Sequence, residues 1–436
     1  SPLDAKILWV GTDDGNVQVS RDGGRTWTEV SQNVRGVRSG TYVSRVTGSR
    51  SGAGAAYVTF DAHWDGDFAP YVFRTEDFGR TWTARMSGLP SGSVNVIVEH
   101  HASPQLLFVG TEHALFASND AGTSWVRFMP NLPTTLFDDI EIHPRDNDLV
   151  LGTHGRSIWV LDDLTPLVSW SATVAAAPAH LFPVRAATIF QYWKDTSYRS
   201  QAAYAGENPP FGAILDYHLA RSVQRAAITV TNASGGVVRR LDVPVTAGVI
   251  HRVVWDLRHE PPPAGQGGEE SPAVVVLPRL AHPVTARGPF VSPGRYTVTL
   301  EADGARSSQQ VTVKGDPMMP LTDAQYRERE AFLVEVLALQ RRAADVAQRA
   351  GVRGGGGGGF GQQPPAASGD SLAITRNRIR GVLQGLSGLA SDMNGSGVRP
   401  GSLYPPTETQ KGRKQDLERE LNEAVAAWER LSAAGR

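Results

Sequence analysis

One pattern occurs three times in the first third of the chain, and it limits what that part can fold into. It reads SRDGGRTW at 20–27, TEDFGRTW at 75–82 and SNDAGTSW at 118–125. Its fixed positions are a hydroxyl (Ser20, Thr75, Ser118), an acid (Asp22, Asp77, Asp120), a glycine (Gly24, Gly79, Gly122), a second hydroxyl (Thr26, Thr81, Ser124) and a tryptophan (Trp27, Trp82, Trp125). Acid and hydroxyls in so short a stretch resemble a small active site, but the residues also make a good turn. The carboxylate accepts backbone N–H groups across a tight bend. Glycine supplies φ > 0, and the indole buries a large area on a neighbouring strand. The three acids stand 55 and 43 residues apart. A period near 40–50, with four short strands per unit, is that of propeller blades.

The strands predicted around the motif fit that period. In the third unit they run over 94–100, 106–111, 114–119 and 124–128, with the motif between the last two. We label the four positions A to D. The second unit has 42–46, 55–60, 71–75 and 81–85. The first lacks strand A and begins at 7–12. The fourth has 139–143, 149–153 and 157–163, without the motif. β-Branched and aromatic residues fill these runs, and Gly, Pro, Asn and Asp fill the gaps. The expectation is a mainly β chain that opens on a partial, open propeller of about three and a half four-stranded blades over 1–166. Such a piece is expected to be the back part of a longer propeller.

The blade pattern stops after Pro166. An Ala/Pro-rich linker is expected over 167–180, and a β-sandwich over 181–316 with hairpins at Ser234-Gly235-Gly236 and Asp303-Gly304. The Pro/Gly/Glu-rich stretch 261–288 reads as a mobile loop within it. A helical tail is expected over 317–436, with helices at 322–350, 372–389 and 415–433. Thr322 and Gln325 form a T-x-x-Q capping box before the first helix. The six glycines 354–359 place a disordered segment at 351–370. Leu417, Leu421, Ala424, Trp428 and Leu431 alternate by four and three residues, a seam for partner helices or self-association.

Composition removes several functions. Lys+Arg (43) and Asp+Glu (44) balance, which argues against nucleic acid as a partner. The absence of cysteine removes disulfides, thiolate metal sites and cysteine nucleophiles. No apolar run approaches the roughly 20 residues of a membrane-spanning helix. No G-x-S-x-G elbow supports a serine triad. The glycine run lacks the Lys-Ser/Thr ending of a phosphate loop.

The repeats resemble the Asp box, or BNR repeat, S-x-D-x-G-x-T-W, of sialidases and of sortilin (VPS10) propellers. The first copy matches at every fixed position; Thr75 replaces Ser in the second and Ser124 replaces Thr in the third. Residues 1–166 as a whole resemble bacterial sortilin-like BNR proteins, often labelled glycosyl hydrolases. NPPFGA (208–213), VVWDLR (253–258) and GPFVSPGRYTVTL (288–300) are similar to their Ig-like accessory domain. The resemblance implies an extracytoplasmic protein, and it implies that the boxes are scaffold on the outer rim, opposite the ligand face.

That face is then marked by the ends of the B strands. Asp13, Asp61, Glu112 and His154 hold the same place in successive blades, with His113 and Arg156 beside them. The A strands add Arg45, Asn95, Asp138 and Asp139. Converging polar groups of this kind suit a polar ligand such as a peptide, a protein or a glycan. The longest loop of this face, DAHWDGDFAP, carries Asp61, Asp65 and Asp67 as a weak Ca²⁺ candidate. It also carries His63, and Trp64 and Phe68 can pack on a sugar or a peptide. Glycosidases pair carboxylates roughly 5–10 Å apart, and Asp61 with Asp138, Asp139 or Glu112 would be such pairs. No F/Y-R-I-P segment introduces a sialidase arginine triad. The remaining alternative is a scaffold without a specific ligand. His100, His101 and His143 read as structural or solvated.

Overall fold

The computed structural model describes residues 1–190, 208–262, 287–352, 371–395 and 401–434. Most of the expected loop 261–288 and of the glycine-rich segment 351–370 lies outside them. The chain divides into two compact units, Ser1–Ala172 and Thr173–Arg436.

The first unit is an open segment of a β-propeller, built of four antiparallel sheets in chain order. The first sheet holds β1 (Leu8–Gly11), β2 (Val17–Ser20) and β3 (Thr28–Glu29). The second holds β4 (Tyr42–Gly48), β5 (Ala56–Asp61), β6 (Tyr71–Thr75) and β7 (Thr83–Ala84). The third holds β8 (Val94–His100), β9 (Ser103–Thr111), β10 (Leu115–Ser118) and β11 (Val126–Arg127). The fourth holds β12 (Phe137–Ile142), β13 (Leu149–Thr153) and β14 (Ile158–Leu161). Alternating apolar residues bury one sheet face on the next. Val17 and Val19 pack with Val58 and Phe60, Tyr57 and Val72 with Ile97 and Val109, and Leu106 and Phe108 with Ile140 and Leu151. Inner strands of successive blades are also stitched together. Ser44 Oγ donates to the Val94 carbonyl (2.6 Å) and Thr47 Oγ1 to that of Ile97 (3.2 Å).

The repeated turns have one hydrogen-bond pattern. Asp22, Asp77 and Asp120 each accept the backbone N–H four residues on, at 2.9 Å in all three. They also accept the hydroxyl of that same residue, at 2.6, 2.7 and 2.6 Å. The first hydroxyl of each motif donates to the acid and accepts the glycine N–H. The Thr26 hydroxyl above all, helped by the N–H of Thr26, pulls the Asp22 carboxyl down to about 2. Two consecutive residues are left-handed in each turn: Gly23 and Gly24, Phe78 and Gly79, Ala121 and Gly122. The N–H groups of Thr26, Thr81 and Ser124 are spent on the carboxylate, so the outer strands begin after them; β3, β7 and β11 are two residues each, against the five predicted for the last two.

The tryptophans differ in burial, and the expected anchoring needs correction for one of them. Trp125 is 4% exposed and donates to the Arg85 carbonyl of the preceding blade. Trp82 packs edge-on against Trp9 of the first blade. Trp27 is 40% exposed and donates only to Gly24 of its own turn. Each indole is an anchor on the blade before it, and the described residues give Trp27 no such blade.

Two short helices, α1 (Thr165–Val168) and α2 (Ala172–Ala176), lie where a plain linker was expected. In the second unit a β-sandwich follows. One sheet has β15 (His180–Leu181), β17 (Ala213–His218) and β20 (Ile250–Trp255). The other has β16 (Ala187–Thr188), β22 (Ala305–Lys314), β21 (Gly294–Ala302), β18 (Ala226–Thr231) and β19 (Val237–Asp242), in that order. The core between them includes Leu215, Tyr217, Ile228, Val298 and Trp255.

Three helices complete this unit: α3 (Asp323–Arg349), α4 (Ser371–Asn394) and α5 (Glu408–Ala434). The Thr322–Gln325 capping box is present. The last helix starts seven residues before the predicted 415, because Thr407 and Gln410 form a second T-x-x-Q pair of reciprocal bonds. The expected seam meets helices of its own chain: Leu417 and Leu421 are buried with Leu333, Val336 and Leu386. Two buried arginines close the C-terminus of α4. Arg329 donates to the Met393 carbonyl (2.9 Å) and Arg258 to that of Asn394 (3.3 Å), while Arg258 also stacks on Phe290. They place positive charge at the negative end of the helix dipole. Among the described residues no helix is long and apolar enough to cross a membrane.

The turn geometry separates two glycines. A Cβ on Gly79 would lie 2.7 Å from Val30 of the preceding blade, whereas one on Gly24 meets only ordinary contacts. Both glycines are left-handed. Gly24→Ala is expected to cost about 1 kcal/mol, and Gly79→Ala about 2–4 kcal/mol because overpacking adds to the strain. Urea unfolding of the two variants checks the order, and equal losses would contradict it.

Candidate functional site

The register of the inner strands defines the end of the blades opposite the repeated turns. β4, β8 and β12 each carry a bulge at the same point, at Ser44, Asn95 and Asp138. Beyond it Arg45 pairs with Thr59, Val96 with Gly110 and Asp139 with Gly152. A bulge re-aims the side chains that follow it. Two of the three re-aimed residues are charged, and they meet: Arg45 Nη2 lies 2.6 Å from Asp139 Oδ1, joining the second and fourth blades. Both side chains keep contact with water, so the pair is a cross-link of modest energy. In the period-2 pattern of these strands the bulges are only a one-residue shift. Their trace in the sequence is the pair of adjacent polar residues at Ser44-Arg45 and Asp138-Asp139.

The same register puts Asp13, Asp61, Glu112 and His154 at equivalent positions, one residue beyond Thr12, Phe60, Thr111 and Thr153. Their environments differ. Asp13 is exposed and lines a groove of about 440 Å³ with Trp9, Tyr42, Ser44 and Arg45. Glu112 is half-buried, 3.6 Å from exposed His113. His154 is exposed and 3.5 Å from Asp138. Arg156 is exposed, and its carbonyl accepts the Trp159 indole N–H.

Asp61 departs from the expectation of an open polar arc, since it is 7% exposed. Its carboxylate accepts the His63 backbone N–H at 3.0 Å and lies 2.7 Å from the His63 ring nitrogen. It is the clamp of the loop that follows. The three carboxylates considered for Ca²⁺ go to separate partners: Asp61 to His63, Asp65 to Arg38, and Asp67 to the Tyr71 hydroxyl (2.6 Å) and the Ala69 N–H. The Tyr71 hydroxyl is the chief cause of a lowered Asp67 pKa. Among the described residues no three His, Asp or Glu side chains form a metal-binding group. The same loop leaves Trp64 84% exposed, with the His63 ring 4.6 Å away.

His100, His101, His143 and a buried acid lie at the far end of the blades. His100 bonds Asn147 at 2.6 Å and stacks on His101, and burial pushes its pKa down. His143 accepts the Asp146 N–H. Burial raises the Glu99 pKa against the opposing bonds from Ser49 and Arg50. The His100–Asn147 bond and the Glu99 bonds to Ser49 and Arg50 link neighbouring blades.

The fold and this face define a propeller module. No family model matches the chain, and no curated protein matches it. Among solved structures it is similar to YCF48 bound to D1 peptide, at 17% identity over 37% of this chain and 49% of that one, with a TM-score of 0.29. It is similar to an ancestral GH74 enzyme, at 11% identity over 70% of this chain and 39% of that one, TM-score 0.30. A GH74 enzyme of Niastella koreensis matches at 12% identity over 71% of this chain and 45% of that one, TM-score 0.31. The chain thus spans less than half the length of each of these proteins. The architecture stands on the blades themselves.

A double-mutant cycle on Arg45→Ala and Asp139→Asn is expected to give a coupling of about 0.2–1 kcal/mol, falling as salt is raised toward 1 M. Zero coupling at low salt in urea unfolding would mean the two inner strands are not joined this way.

Proposed function

We propose that the first unit is the binding module of an extracytoplasmic, sortilin-like BNR protein, and that it takes a peptide, protein or glycan on the face opposite its Asp boxes. The observation that carries this reading is the Arg45–Asp139 pair beside three aligned bulges. The bulges of the second and fourth blades aim Arg45 and Asp139 at a common point, while that of the third turns Val96 into the core. The Asp13–Tyr42 groove opens beside that pair and supplies mixed polar and aromatic walls, the composition of a ligand site. The second unit supplies the Ig-like accessory domain of this reading.

Hydrolysis is the less supported reading. A glycosidase acid needs a carboxyl held protonated near neutrality. Among the described residues the carboxyl raised by burial is Glu99, which stands near the opposite end of β8 from Val94 and Asn95. On the proposed face Asp139 pairs with Arg45, and Asp138 and Asp61 lie against the His154 and His63 rings.

The test is binding of the labelled protein to glycan and peptide arrays, beside an Arg45→Met/Asp139→Asn variant. The expected result is binding to at least one array and about tenfold weaker binding by the variant, with neither protein cleaving its ligand. Binding indifferent to the variant, or ligand turnover abolished by it, would overturn the proposal.

A further inference from the structure

The loop after β5 exposes a large aromatic surface on a fixed frame. Asp65 and Asp67 donate their N–H groups to the Ala62 carbonyl, and Gly66 donates to that of His63. Gly66 adopts φ 75°, the left-handed conformation that lets the chain reverse. Asp61 bonds His63, Asp65 pairs with Arg38, and Asp67 bonds Tyr71. The Phe68 carbonyl accepts Gly92 N–H at 2.7 Å and Ser91 Oγ at 3.2 Å, tying the loop to the entry of the third blade. Every polar anchor of the loop is therefore made, yet Trp64 at its apex is 84% exposed and Phe68 47%. The His63 ring lies 4.6 Å from the indole, tilted 37°. A large apolar ring carried into water by a fixed loop gains nothing in the free protein. It can bury area on a partner without a cost in loop ordering.

We propose that Trp64 is a stacking platform for a pyranose ring of a neutral oligosaccharide; this rests on the face assigned above and names its ligand class. The C–H face of a sugar matches an indole face in size and polarity. The charges around Trp64 point to a neutral ligand. Arg38 pairs with Asp65, and Asp61 and Asp67 are held by His63 and the Tyr71 hydroxyl, so the loop offers donors and acceptors to hydroxyls and has no cationic excess to select an anion. Three carboxylates in one short loop also oppose docking on an anionic lipid surface. Phe68 provides a second apolar surface for an adjoining ring.

The experiment is isothermal titration of the whole chain with cellohexaose, mannohexaose and chitohexaose, repeated with Trp64→Ala, Trp64→Phe and Arg45→Met/Asp139→Asn. Liposomes of phosphatidylcholine and phosphatidylglycerol form a parallel arm. At least one hexasaccharide is expected to bind. Trp64→Ala should weaken it about tenfold or more and Trp64→Phe distinctly less, with the unfolding midpoint unchanged because the indole is solvated. Binding that Trp64→Ala leaves intact but Arg45→Met/Asp139→Asn weakens would overturn the platform and keep the face. Binding indifferent to both would overturn both. If no hexasaccharide binds, or if Trp64 is needed only for liposomes, the sugar assignment is wrong.

Discussion

In each repeated turn one carboxylate gathers two hydroxyls and the backbone N–H of the residue four positions on. This clamp fixes two consecutive left-handed residues and launches the tryptophan that follows. Trp82 and Trp125 then press on the blade before their own. Further bonds run the same way: Asn33 of the first blade reaches the Gly79 carbonyl, and Tyr57 of the second reaches that of Ala121. A residue set that looks catalytic is thus the means by which one sheet is laid on the next. The hydroxyl and carboxylate atoms that would perform chemistry are already bonded to one another. The unequal burial of the three indoles follows from the same rule, since the anchor acts only where a preceding blade is present.

Orientation follows from the clamp. Antiparallel pairing puts the B–C loops at the end of the sheet away from the C–D turns, so three turns on one rim assign the other rim to the loops. That end is also where the inner strands bulge and where Arg45 reaches Asp139. The second blade combines both, with packing at its turn and the aimed charge of Arg45 at its other end. The second unit shows a related economy. Among the described residues no carboxylate bonds the buried guanidinium of Arg258 or Arg329, and the carbonyls ending α4 take that role. Burial lowers their pKa values to about 9 and about 10, so both stay charged at neutral pH.

Much of this was legible in the residues. The blade strands, the Ser234-Gly235-Gly236 and Asp303-Gly304 hairpins and the Thr322–Gln325 box follow from local chemistry that acts within a few positions. What escaped depends on partners distant in sequence or on competition for one hydrogen bond. The outer strands begin later than their composition suggests because the clamp takes their first N–H. Asp61 looked like one more polar loop end, and only its bonds to His63 turn it inward. The inner-strand bulges leave alternation intact on both sides and shift it by one residue between. The early start of α5 was readable, because Thr407 and Gln410 repeat the spacing of Thr322 and Gln325.

The central claim is that the face of the B-strand ends, and not the rim of the repeated turns, meets the ligand. Hydrogen–deuterium exchange of the protein with and without the array-selected ligand tests it most directly. The account predicts added protection in peptides covering residues 11–16, 42–46, 61–70 and 137–139, with 20–27, 75–82 and 118–125 unchanged. Protection confined to the three repeated turns would contradict it.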